Sequence, residues 1–227
     1  MTPPPLVPLL VEACCDSVHT ARAAQAYGAG RVELCGPGDG GTTPSLGLIV
    51  RCRDELTIPL HVMIRPHANN FLYDEDDVDV MCNDIVAAKS LGVNGIVLGP
   101  LHSDNTVDAR QLAEFVALAR PMKVAFHRAF DRTPDALEAL TVVLTIGVDY
   151  ILTSGHSRTA LDGALNLQAL QARAGNNLVV LAGGNVRADN VHHIIEQSHV
   201  REVHARATEP TIIRDILLAV DTAQSKG

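Results

Sequence analysis

Short, apolar, β-branched runs recur along the chain, and each is followed by a longer stretch in which apolar residues return at helical spacing. Eight such runs occupy residues 9–15, 31–35, 59–65, 95–100, 122–128, 149–154, 178–183 and 201–205. Their starts lie 22 to 36 residues apart, which fits one strand, one helix and two short loops per interval and is too long for hairpins. Most runs are apolar throughout their centres, as strands covered on both faces must be.

The boundaries carry their own signals. Gly28, Gly92 and Gly147 each precede a strand by a few residues, where a helix would end, because glycine enters the left-handed region without a Cβ penalty. Thr133-Pro134-Asp135 predicts a helix start with Thr133 as the cap and Pro134 as the first helical residue. Eight such units predict an α/β chain closed into a single-domain (β/α)8 barrel over residues 9–227, with residues 1–8 as a tail. The competing architecture, an open doubly wound sheet, would show a Gly-x-Gly-x-x-Gly turn after its first strand. None follows it here, so no nucleotide cofactor is expected. Gly36-Pro37-Gly38-Asp39-Gly40-Gly41 reads as a loop.

Composition narrows the class of partner. The net charge is −8 and the basic residues form no cluster, which argues against nucleic acid and anionic membrane. No apolar run reaches the length of a membrane span, and the start of the chain lacks a secretory signal pattern, so a cytoplasmic protein is expected. The five cysteines are odd in number and lack Cys-x-x-Cys spacing, which favours reduced thiols over a disulfide framework.

In a barrel of this kind, function gathers at the C-terminal ends of the strands. There the first strand offers Glu12 and Cys14, and the second offers Glu33 and Cys35 in the same alternation. Later strands contribute Arg65; His127, Arg128 and Asp131; Ser154; Gly183 and Gly184; and His204 with Arg206. Carboxylates inside strands need cations, and Arg65 and Arg128 are the expected partners of Glu12 and Glu33. Two readings stand: a structural ion-pair layer, or an anion-binding, proton-transferring pocket. In the second, His127 is the acid/base group, poised near neutrality, with Glu12, Glu33 and Asp131 as the other candidate catalytic residues. Arg65, Arg128, Ser154, Gly183, Gly184 and His204 would hold the anion. The double glycine, followed by a helix opening at Arg187, offers backbone N–H groups to a phosphate. Cys14 and Cys35, with Met63 on the next strand and His61 two residues before it, present soft ligands suited to Cu(I); equally, cysteine and methionine fill gaps in cores.

Several blocks resemble the CutC family: Val11-Glu12-Ala13-Cys14 with Asp16-Ser17, Arg31-Val32-Glu33-Leu34-Cys35, Thr43-Pro44-Ser45-Leu46-Gly47, Met63-Ile64-Arg65-Pro66, Phe126-His127-Arg128-Ala129-Phe130-Asp131 and Leu152-Thr153-Ser154-Gly155. The resemblance runs from about residue 9 to 204. It implies a cytoplasmic TIM barrel, dimeric or larger, that takes part in copper homeostasis and binds Cu(I), with Cys14 and Cys35 as the proposed metal ligands. The alternative it leaves open is an enzyme acting on a small anionic metabolite, phosphorylated or not, through His127. The chain departs from the family pattern at His67 to Asn70, where an acid and two glycines are missing, at Asn185 in place of a third glycine, and at Ala205 to Ala207.

Overall fold

A computed structural model describes residues 9–38, 41–207, 209 and 211–224; the expected tail at 1–8 lies outside the described residues. Eight parallel strands close into one barrel in chain order. They are β1 (Leu10–Cys15), β2 (Arg31–Leu34), β3 (Leu60–Met63), β4 (Gly95–Leu98), β5 (Lys123–Phe126), β6 (Tyr150–Thr153), β7 (Val179–Ala182) and β8 (Glu202–Arg206). Helices α1 (Val18–Ala26), α2 (Leu46–Glu55), α3 (Glu75–Ser90), α4 (Ala109–Ala119), α5 (Ala136–Ile146), α6 (Ala164–Ala174), α7 (Val191–Ser198) and α8 (Thr211–Gln224) alternate with them, and a 3-10 turn spans Arg128–Arg132. Closure is made by β8 lying beside β1, with Glu12 opposite His204 and Cys14 opposite Arg206.

Alternation along each strand sorts the side chains into two sets. Val32, Leu34, Leu60, Val62, Ile96, Leu98, Val124, Phe126 and Ile151 join the helix residues Ile49, Met81, Ile85, Phe115, Leu140 and Ile194 in one continuous core between sheet and helices. A second, small apolar cluster of Cys35, Met63, Val97 and Ala125, with Cys14 and Tyr150 against it, lies inside the barrel. Most of the hydrophobic burial therefore lies outside the sheet. The inner face is left free to carry polar groups.

Helix ends follow the local chemistry. Gly28, Gly92 and Gly147 have φ of 100°, 69° and 88°, the left-handed values their positions demand. Ser17, Ser45, Asp74, Asp108 and Asp135 accept hydrogen bonds from the first-turn amides of α1 to α5. The start of α5 differs from the sequence expectation. Asp135, which accepts from Leu137 and Glu138 N–H, is the cap, because the Thr133 hydroxyl instead donates to the Phe130 carbonyl and closes the preceding 3-10 turn. Likewise α7 opens at Val191 and not at Arg187: Asn190 Oδ1 takes the Arg187 N–H, which holds residues 187–190 in a turn.

Candidate functional site

Three polar layers are stacked inside the barrel. In the lowest, Arg31 of β2 pairs with Glu12 of β1 and, at 2.7 Å, with Glu202 of β8. Its guanidinium also lies 4.6 Å from the Tyr150 ring centroid. Glu12 completes its bonding with the His204 ring, Nδ1 to Oε1 at 2.7 Å. Burial pushes the Glu12 carboxyl up, but the Arg31 charge and the His204 hydrogen bond outweigh it and hold the group well below the usual carboxylate range. His61, 2% exposed, sits with its Nδ1 3.9 Å from Glu12, and burial lowers its pKa to about 4. Arg31, therefore, and neither Arg65 nor Arg128, is the cation that serves Glu12. The register places Glu12 directly opposite Arg31, whereas Arg128 lies beyond the end of β5 and binds Asp131 and Ser154.

The middle layer is a cluster of sulfur, carboxyl and imidazole. Cys14 Sγ lies 3.8 Å from Cys35 Sγ, and the Cys35 thiol reaches Glu33 Oε1 at 3.4 Å. Ligand atoms of Cys14, Glu33 and His204 all fall within 4.8 Å of one another. Hydrogen bonding from Cys35, working against burial and helped by His204, holds the Cys14 thiol well below its ordinary value. The Cys35 thiol is pushed well above its ordinary value by the Cys14 hydrogen bond and by burial. Burial raises Glu33 to about 8 despite the charge of His204. The His204 ring is penalised by burial too, but Glu33 and the hydrogen bonds to Cys14 and Glu12 keep its pKa well above 6.5. Cys15 points out of the barrel into the helix-facing core, where burial raises its thiol.

The upper layer opens into a cavity of about 370 Å³. Cys14, Glu33, Cys35 and Met63 form its floor, and Asp16, Arg65, Phe71, His127, Arg128 and Arg206 line the wall. His127 is 5% exposed, and its Nδ1 accepts the Ala129 N–H at 3.2 Å. Burial, with the Arg65 charge adding to it, lowers its pKa to about 3, so the ring is neutral at physiological pH and is not poised near neutrality.

The sequence profile of the CutC family matches residues 9–209. The chain belongs to the CutC family. A mouse (Mus musculus) relative named copper homeostasis protein cutC homolog is 43% identical over 199 residues, spanning 87% of this chain and 73% of its own. A CutC family protein of Glaesserella parasuis is 41% identical over 87% of this chain and 82% of its own. The crystal structure of CutC from Streptococcus agalactiae superposes with a TM-score of 0.83 at 31% identity, covering 88% of this chain and all of that one.

Within this CutC barrel, the residues singled out from sequence divide into two groups. Glu12, Cys14, Glu33, Cys35 and His204 converge at the centre; Arg65, His127, Arg128 and Arg206 line the cavity above them. Asp131, Ser154, Gly183 and Gly184 are not among the residues that line the cavity. Asp131 accepts bonds from Thr153, the Ser154 N–H and hydroxyl, the His156 N–H and Arg128, so its oxygens are fully used in holding the β6 loop. Gly183 N–H donates to Thr153, and Gly184 packs against Ser154 and Arg128. Sequence reasoning missed Arg31 and Tyr150 and gave His61 no partner. The signal for Arg31 was present, since it lies two residues before Glu33 and therefore on the same strand face.

Proposed function

We propose that this CutC-family barrel takes part in copper homeostasis by holding Cu(I) between the sulfurs of Cys14 and Cys35. The 3.8 Å separation of the two Sγ atoms, on the floor of a cavity that opens outward, carries the reading. Soft sulfur donors suit Cu(I), and Met63 adds a thioether to the same small cluster. The lowered pKa of the Cys14 thiol eases formation of the thiolate needed for ligation. Cys35 must release its proton as the metal binds, with Glu33 as its hydrogen-bond acceptor. Reduced thiols also require a reducing compartment, and a cytoplasmic location would meet that requirement.

The test is anaerobic competition between the protein and a Cu(I)-specific chelator. Wild type is expected to retain one equivalent of Cu(I), and Cys14→Ser with Cys35→Ser to lose it to the chelator. Equal retention by the two proteins would remove the sulfur pair as the copper site.

A further inference from the structure

Above the sulfur pair, the cavity is chemically unlike a copper site. Its wall carries Arg65, Arg128 and Arg206 in a chain whose net charge is −8. Opposing them on the lining are the carboxyl groups of Asp16 and Glu33, fewer than the three guanidinium groups. Arg128 also meets Asp131 at 2.8 Å. A wall of guanidinium groups attracts an anion.

His127 supplies an independent observation. With its Nδ1 committed to the Ala129 N–H, the neutral ring carries its hydrogen on Nε2, and this buried atom has no hydrogen-bond partner among the described residues. Gly99 of the loop after β4 packs against the Nδ1 and Cε1 edge, and His127 lines the cavity. Phe71 ties donor and cation together: its ring lies 4.9 Å from the His127 ring and 4.7 Å from the Arg65 guanidinium carbon. A buried donor beside arginines in a pocket of metabolite size is a recognition arrangement.

We propose that this cavity binds a small organic anion, its carboxylate or phosphate oxygens taken by Arg65 and Arg128 and an acceptor oxygen taken by His127 Nε2–H. The planar guanidinium fork suits either oxyanion. The neutral imidazole acts as a hydrogen-bond donor. The anion-holding residues on the wall differ from the sulfur pair on the floor, so an arginine variant tests this reading apart from copper retention.

The experiment uses the intact, copper-free chain, with inorganic phosphate, 3-phosphoglycerate and malonate as probes at constant ionic strength against chloride. Thermal unfolding and calorimetry read the binding. At least one probe is expected to stabilise wild type saturably, with binding weakened tenfold or more by Arg65→Gln with Arg128→Gln. A preference for the phosphate ester or for the dicarboxylate identifies the class of oxyanion. Cu(I) retention should be unchanged in the arginine variant. No saturable response to any of the three probes overturns the proposal, as does a response that the arginine variant preserves. Should the double variant not fold, Arg65→Gln alone is expected to weaken binding at least threefold, and an unchanged response overturns the proposal equally.

Discussion

Glu12 and Arg31 sit directly opposite one another on adjacent strands and share an ion pair at the centre of the barrel, at 1% and 3% exposure. Removing one partner of a buried pair strands the other charge, which costs about 3–5 kcal/mol. Arg31→Met should lower unfolding stability by an amount of that order in urea titration. Glu12→Leu added to Arg31→Met should recover part of it. If Arg31→Met alone is neutral, the pair does not organise the barrel interior as described.

Acid should act on the two buried histidines. The folded pKa values of His61 and His127 lie at about 4 and about 3, below the ordinary histidine value of 6.5. Between those limits the unfolded chain binds the proton and the folded chain does not. Their contribution is therefore complete above about pH 6.5 and is lost as the pH falls toward the folded values. Glu33, raised to about 8, works in the opposite direction over part of this range, so the useful quantity is a difference between proteins. In urea titrations at pH 6, 5 and 4, His127→Gln should reduce the slope of stability against pH by one proton, about 1.4 kcal/mol per unit. An unchanged slope would mean that His127 is already charged in the folded protein.

Cys14 should be the most reactive thiol. It is half-buried and faces the cavity, with its pKa lowered, whereas the thiols of Cys15, Cys35 and Cys52 are raised. Brief treatment with iodoacetamide at pH 6.5, followed by peptide mass spectrometry, should find Cys14 alkylated before the others. Preferential labelling of Cys82, the other half-buried thiol, would contradict the thiolate assignment.

Gly99→Ala should disturb His127 without touching any charged group. A Cβ at this position would collide with His127 Nδ1 and Cε1 and lie 3.1 Å from the Ala129 Cβ. Overpacking of this kind typically costs about 1–3 kcal/mol. The expected outcome is a loss of that size in chemical denaturation, together with weaker anion binding; full retention of both would show that the ring has room to move.

The eight strands, their order and the helix-ending glycines were legible in the chain because each follows from a local rule: apolar runs, helical periodicity and the conformational freedom of glycine. Strand alternation also placed Cys14 and Cys35 on the inner face and sent Cys15 outward. The cap of α5 was not legible, since Thr133 and Asp135 both have capping chemistry and the choice depends on where the 3-10 turn leaves Phe130. The partners of the acids were hidden for a stronger reason. His204 meets Glu12 across 192 residues of sequence, at the seam where the last strand closes against the first. Alternation says which face a side chain takes. Only closure and register decide which charges share that face at the same height, and the cost of burying a charge makes that choice the one that sets the pKa values of Glu12, Cys14 and His204.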